Sequence, residues 1–371
     1  MLTPVAASRS SRSATASAVS NLRTRSQGPV VPLEPDQRAG LFAAKVRGLV
    51  AAHLQLDAAV LTGRPLPFGA AVLHDDHLWV LLGDQGARTV GAAMVWASRQ
   101  SASELHLLVD DPVASGIVAR RAALFADPPR VWSVHGRTIA PAPVAGAHLP
   151  AEPSAVARDA AAVFHDAGLE VIVEHGQIRG EIRGLEVARV VLTEDGGARV
   201  DVGVGRHDRE AFAMVHGSVP TPEALASVIA SVDRVRRPDA EPHPLRQLAP
   251  EGWLRWRLLT DPSLIGLSEL RVAEATLERE SVKDSGATIA FGRDSQGNDV
   301  VVACSVGIDL DLVPSAADAR FALNPTAPLL IVLPSRDLHP AAQQLAQQLA
   351  HPAQFITVDG DWRMAGAEQF T

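Results

Sequence analysis

Two stretches near opposite ends of the chain align without a gap: HLLVDDPVASGIVARRAALFADPPRVWSVHG (residues 106–136) and LIVLPSRDLHPAAQQLAQQLAHPAQFITVDG (residues 330–360). Five of the 31 positions are identical: Ala122 with Ala346, Ala126 with Ala350, Pro128 with Pro352, Val134 with Val358 and Gly136 with Gly360. In each stretch an apolar run gives way to a helical pattern, a proline-marked turn and a second apolar run. Strands joined through a helix lie parallel, because only a long crossover returns the chain in the same direction. The agreement in residues and punctuation predicts an internal duplication, with two similar outer units flanking a central one.

The surrounding pattern extends both outer units. Leu41, Phe42, Val46, Leu49 and Val50 recur at helical spacing over Gln37–Leu54. GAAVLHDDHLWVLLG then reads as a hairpin turning at Asp75-Asp76, followed by a helix around Ala87–Ser98 and the strand ELHLLV. Near the other end GATIAFGRDSQGNDVVVACSVG is a hairpin with its turn at Asp294, Gly297 and Asn298, again followed by a helix and LLIVLPS. Between the two lie a helix over Ala155–Ala167, the strands LEVIVEH, QIRGEIRGLEVARVVL and ARVDVGVG, and the helix PTPEALASVIASVDRV. The Pro- and Ala-rich segments APAPVAGAHLPAEP and RRPDAEPHPLRQLAP separate the units, and WLRWRLL reads as a helix bridging into the third. The expected fold class is therefore α/β, multi-unit, with mixed sheets and flanking helices. The expected division is a Ser/Arg-rich tail over 1–34, an α/β unit over 35–140, a central α/β unit over 150–240 and a C-terminal unit over 250–371 that resembles the first.

Several functions are excluded or narrowed by composition. A net charge of −8 gives no bulk attraction to a phosphate backbone, so nucleic acid would need a local basic patch. The densest such run is Arg234, Arg236 and Arg237, with Arg246, Arg255 and Arg257 beyond it. Lys45 and Lys283 are the only lysines and tyrosine is absent, a usage that points to a GC-rich, bacterial coding genome and leaves two candidates for lysine chemistry. Cys304 is the single cysteine, which rules out an intrachain disulfide and any multi-cysteine zinc site and fits a reducing cytoplasm. No apolar run reaches the ~18 residues of a membrane span. The expected chain is soluble and cytoplasmic, with a protein partner or self-association and no membrane contact.

The stretch RVDVGVGRHDREAFAMVHG (199–217) carries the densest polar cluster. If Asp195-Gly196 forms a two-residue turn, Val190 faces Asp201, Ala188 faces Gly203 and Glu186 faces Gly205. One face of this hairpin then holds small residues with Glu186 and Asp201, and Glu186 ends beside His207, Asp208 and Glu210. An imidazole among carboxylates can serve as a general base or hold a divalent cation. The same residues are also explained without chemistry, with Asp208 capping a helix and Glu210 in its first turn. A three-residue turn would reverse the parity of the face. Gly203-Val204-Gly205 lacks the third glycine of a dinucleotide loop, since Asp208 stands there.

A helix, a hairpin and then strand-helix-strand units resemble the restriction-endonuclease-like α/β fold. The signature of that family is an acid followed by an acid-x-lysine on the hairpin's second strand. The corresponding strands LWVLLGD, RVDVGVG and VVVACSV contain no lysine. The resemblance thus implies a degenerate or non-catalytic relative. It is consistent with a non-enzymatic binding or scaffold protein as the expected function. The alternative is a metal-dependent hydrolase, with nucleic acid as one substrate class, working through Glu186, His207, Asp208 and Glu210.

Overall fold

The computed structural model describes residues 34–205, 208–210, 221–278 and 286–371. Residues 1–33 of the expected tail, His207 of the candidate cluster and Lys283 lie outside the described residues.

The first unit opens with α1 (Pro35–Leu54), which begins on a proline whose missing N–H would have had no partner there. It ends where Gln55 turns left-handed, at φ 58°. Then come β1 (Arg64–Leu66), β2 (Gly69–His74), β3 (His77–Leu82), α2 (Val90–Ala97), β4 (Glu104–Val109), α3 (Pro112–Ala122), β5 (Arg130–His135) and β6 (Thr138–Pro141). Asp111 caps α3 by accepting from the amides of Val113 and Ala114, at 2.7 and 3.1 Å. The strands form one sheet in chain order, parallel at β3–β4 and β4–β5 and antiparallel elsewhere. One face is covered by α1 and the other by α2 and α3.

The central unit comprises α4 (Ala155–Ala160), α5 (Ala162–Asp166), an antiparallel meander of β7 (Glu170–Glu174), β8 (Gln177–Ile182), β9 (Leu185–Leu192) and β10 (Ala198–Val202), and α6 (Thr221–Val235). The third unit holds α7 (Pro250–Thr260), β11 (Leu267–Ala273), β12 (Thr288–Asp294), β13 (Asp299–Cys304), α8 (Leu312–Leu323), β14 (Leu329–Pro334), α9 (Pro340–Gln348) and β15 (Gln354–Val358). Its sheet also runs in chain order, antiparallel through β13 and parallel from β13 to β15. β2 to β5 and β12 to β15 therefore share strand order and pairing, with a helix in each crossover. The molecule is mixed α/β with helices flanking its sheets.

The two outer units meet through their helical layers, α3 against α8 and α2 against α9. The Ala126 amide donates to the Gln348 carbonyl at 2.9 Å, and the Ala350 amide donates to the Leu124 carbonyl at 2.9 Å. Phe125 and Leu349 form an antiparallel bridge between them. In the gapless alignment Leu124, Phe125 and Ala126 occupy the positions of Gln348, Leu349 and Ala350, so each stretch bonds to its own counterpart. Arg120 and Arg121 of α3 reach across to Asp318 of α8, and Arg121 also donates to Asp311 at 2.7 Å.

Several local expectations change. Three edge strands, β1, β6 and β11, appear where the sequence carries no clear alternation. The helix expected over 155–167 breaks at Ala161, and QIRGEIRGLEVARVVL divides into β8 and β9 where Arg183 and Gly184 turn at φ 47° and 72°.

The central hairpin register is off by one from the expected pairing. Asp201 faces Arg189 and Val202 faces Ala188, because the turn has three residues, Glu194 to Gly196. Gly196 takes the left-handed position (φ 83°), its amide donates to the Thr193 carbonyl, and Asp195 accepts from the Gly197 amide at 3.2 Å. These bonds select a type I turn with a following bulge over the two-residue alternative. The face expected to be open is consequently closed: Ala188, Val190 and Val202 are buried in the core with Phe164 and Leu225.

A second irregularity acts on Glu186. Pairing between β8 and β9 shifts between Gly180 and Glu181, so that Glu181 faces Glu186 and Val187 has no opposite residue. This bulge moves Glu186 to the side of the sheet that carries Glu174, Arg179, Glu181 and Arg189. That side is a buried, charged layer, and α7 contributes Arg255 to it, 2.6 Å from Glu174.

Candidate functional site

The structure surrounds Glu186 of the expected cluster with arginine. Arg189 grips Glu186 with two bonds of 2.6 and 2.8 Å, and Arg209 adds a third at 2.8 Å. Both carboxylate oxygens are thereby engaged. Asp208 turns back on the chain and accepts from the Val204 amide at 2.7 Å, taking the backbone donor that an anion at a glycine-rich loop would need. Glu210 is exposed.

The other polar features of the sequence are also directed inward. Arg236 is fully buried and donates to the carbonyls of Arg183, Leu245, Leu248 and Ala249 at 2.8 to 3.1 Å, so it clasps the second linker. It lies over the Trp253 ring at 4.7 Å, and burial lowers its pKa to about 9. Trp253 packs edge-on against Trp362 at 5.9 Å, which makes the bridging helix a joint rather than a base-stacking platform. Cys304 is buried in β13, where burial pushes the thiol up to about 12 and leaves it unreactive. Asp311 binds the Gly91 amide and Arg121 in the joint between the outer units, and Lys45 pairs with Asp110 at the surface.

An open site that sequence reasoning missed lies in the first unit. Alternation places His77 and Trp79 of β3, Glu104 and His106 of β4, and Arg130 and Trp132 of β5 on the face that α1 covers. α1 stops before it covers the first residues of these strands. The gap is a cleft of about 380 Å³ lined by His53, Leu54, Leu56, His74, Asp75 and the imidazoles and indoles of the sheet. It lies at the N-terminal ends of the parallel strands, opposite to the edge where open α/β sheets usually bind ligands. A second cleft of about 380 Å³, between β4 and the end of α9, has no imidazole in its lining.

The rings in the first cleft form an ordered row. His106 stacks on Trp79 with centroids 3.8 Å apart and 13° between planes. Trp132 donates its indole N–H to His106 Nδ1 at 3.1 Å. With Nδ1 accepting, a neutral His106 carries its proton on Nε2, which faces His77 Nδ1 at 3.1 Å and Glu104 Oε2 at 3.5 Å. Burial, reinforced by His77, Arg130 and His53, lowers the pKa of His106 to about 4, so it is neutral at neutral pH.

His77, Glu104 and His106 place their ligand atoms within 4.8 Å of one another, as do His148, His175 and Glu274. The first trio is poorly suited to a metal, because ligation through His106 Nε2 would leave Nδ1 either protonated against the Trp132 N–H or fully deprotonated. The signal for the cleft was present in the sequence as HDDHLW and ELHLLV, two in-register strands with imidazoles two residues apart or less from a tryptophan or acid. It was obscured because the pairing of β3 with β4 puts Trp79 beside His106 only in three dimensions.

No known protein family, curated protein or solved structure matches the chain. The likeness to restriction endonucleases accordingly stays a resemblance in the order of elements. Among the described residues, no helix is long and apolar enough to cross a membrane.

Proposed function

We propose that this chain is a non-enzymatic binding protein whose ligand occupies the imidazole–indole cleft of the first unit. The observation that carries this reading is the Trp79–His106–Trp132 row opening onto a cavity of about 380 Å³, within the usual range for small-molecule pockets of about 300–1,000 Å³. His106 and Trp132 are joined by a hydrogen bond and Trp79 is stacked on His106, so these flat rings favour a planar partner that stacks without reordering the site. The charged lining groups already have partners, Asp75 beside His74 at 3.5 Å and Arg130 against Glu104 at 3.1 Å, next to neutral His106. That balance favours an uncharged, planar heteroaromatic molecule of one or two rings.

The hydrolase alternative would require Glu186 to exchange its arginines for a metal ion, and nothing in the geometry favours that exchange. From the matching strand order and the reciprocal bridge we also infer that the outer units descend from one ancestral unit. The single, buried cysteine is compatible with a reducing cytoplasm.

The test uses indole, quinoline and adenine as probes, with cyclohexanol as a non-planar control, read by tryptophan fluorescence and by imidazole NMR shifts. At least one planar probe is expected to bind saturably to the intact chain and to lose about tenfold or more in affinity in Trp132→Ala, the loss of one stacking partner. Binding of none of the three, or binding unaffected by Trp132→Ala, would remove the proposal.

A further inference from the structure

The second imidazole–carboxylate trio lies where the connector after the first unit meets the central and third units. His148 belongs to the connector after the first unit, His175 to the tip of the β7–β8 hairpin and Glu274 to the residue after β11. His175 and Gly176 close the hairpin in left-handed conformations, φ 53° and 70°. A Cβ on Gly176 would approach the Ala151 side chain to 3.2 Å, so the connector lies against this turn. The arrangement holds His148 Nε2 in contact with Glu274 Oε1, with His175 Nδ1 3.3 Å from the same oxygen. The His175 amide fixes the other oxygen at 2.5 Å.

The countercharge of Glu274 sets it apart. Its side chain is only 6% exposed, and a buried carboxylate requires a compensating cation. Glu174, Glu181, Glu186, Asp311 and Asp318 are each met by arginine. Among the described residues, Glu274 meets two imidazoles and an amide. Tetrahedral zinc, with bonds of about 2.0–2.1 Å to nitrogen and 2.0–2.2 Å to oxygen, places adjacent ligand atoms about 3.3–3.5 Å apart. The His175–Glu274 separation of 3.3 Å matches, whereas His148 sits closer to the same oxygen and has to draw back for an ion to enter between them. The imidazoles are 23% and 15% exposed, enough for an ion to enter. Unlike His106, neither accepts, among the described residues, a hydrogen bond from an indole at its second ring nitrogen that would fix the wrong tautomer.

We propose that His148, His175 and Glu274 bind a divalent cation of the zinc class, with three protein ligands and a further position left to water or a small anion. The Glu274 carboxylate supplies the negative charge, and the His175 amide orients it as an outer-shell partner does. Because the three ligands come from the connector, the central unit and the third unit, the bound ion also ties these segments to one point.

The experiment is a zinc titration of the full chain, stripped with chelator and dialysed, in competition with a chromophoric zinc chelator. Cobalt substitution provides a second readout through its visible ligand-field absorption. One equivalent of zinc is expected to bind the intact chain, and four-coordinate cobalt to absorb. His148→Ala and His175→Ala are each expected to weaken binding by more than about tenfold and abolish the cobalt band, while His77→Ala leaves both unchanged. Circular dichroism of each variant confirms that it is folded, and His148→Ala alters a partly exposed connector side chain. No stoichiometric binding by the intact chain would overturn the proposal. So would binding that survives the His148→Ala, His175→Ala double variant, or binding lost in His77→Ala alone.

Discussion

His106 is kept neutral by the groups around it, and that preference is a stability term. Its pKa is about 4 in the folded chain and 6.5 for an unperturbed imidazole, so the unfolded chain takes up the proton first as the pH falls. The resulting stabilisation is complete above about pH 6.5 and is lost as the pH drops toward about 4. Burial acts in the opposite sense on Glu181, pushed up to about 7, and on Asp311, pushed up to about 6. Those carboxyls stabilise the fold in their protonated form, and their contribution fades as the pH rises through these values. Replacing His106 by glutamine isolates its share. Between about pH 7.5 and about pH 5 the wild type should lose roughly 2 kcal/mol more stability than His106→Gln, measured by urea unfolding. None of these shifts was legible in the sequence, because each depends on which neighbours tertiary packing supplies. Arg236 makes the same point: as text it belongs to a basic run, yet in the fold it binds four carbonyls while lying over an indole.

Elements were most legible where a strong pattern met a strong terminator. α3 shows it, with Asp111 and Pro112 at its start, as does the β12–β13 hairpin, whose Asp294 accepts from the Gln296 and Asn298 amides. Legibility failed where one residue decides the parity. The Glu194–Gly196 turn and the Val187 bulge each displace the pattern by one, and no hydrophobic count distinguishes the alternatives. β11 was hidden because only its end residues Leu267 and Ala273 are buried, so this edge strand shows no regular apolar alternation. The packing of the β8–β9 turn on α7 offers a test at this scale. A Cβ on Gly184 would lie 2.1 Å from the Gly252 carbonyl carbon, at a backbone φ of 72°. Gly184→Ala should therefore destabilise the chain by more than about 2 kcal/mol, well beyond the conformational cost alone. Gly136→Ala, at φ 62° with nothing within 4 Å of the added carbon, measures that conformational cost. Equal denaturation midpoints for the two variants would show that the contact with α7 is not a constraint.

Across the whole molecule, the units are joined by buried charge as well as by apolar faces. Arg121 is fully buried and serves Asp311 and Asp318 from the opposite unit, while Arg255 joins the third unit to Glu174 of the central sheet. Such contacts predict one cooperative transition. Fluorescence, from three tryptophans in the first unit and three in the third, should coincide with far-ultraviolet circular dichroism during urea unfolding. Arg121→Leu leaves two buried carboxylates short of a partner. It should cost about 3–5 kcal/mol and separate the two curves; coincident curves at an unchanged midpoint would show that the joint is not held by this arginine. The reciprocal bridge at Phe125 and Leu349 has a different kind of consequence. Because each of these segments finds its donor and acceptor on its own counterpart, a residue inserted in either one would slide an amide away from its carbonyl on both sides of the bridge. The lengths of the two segments are thus tied to each other across more than two hundred positions of the chain.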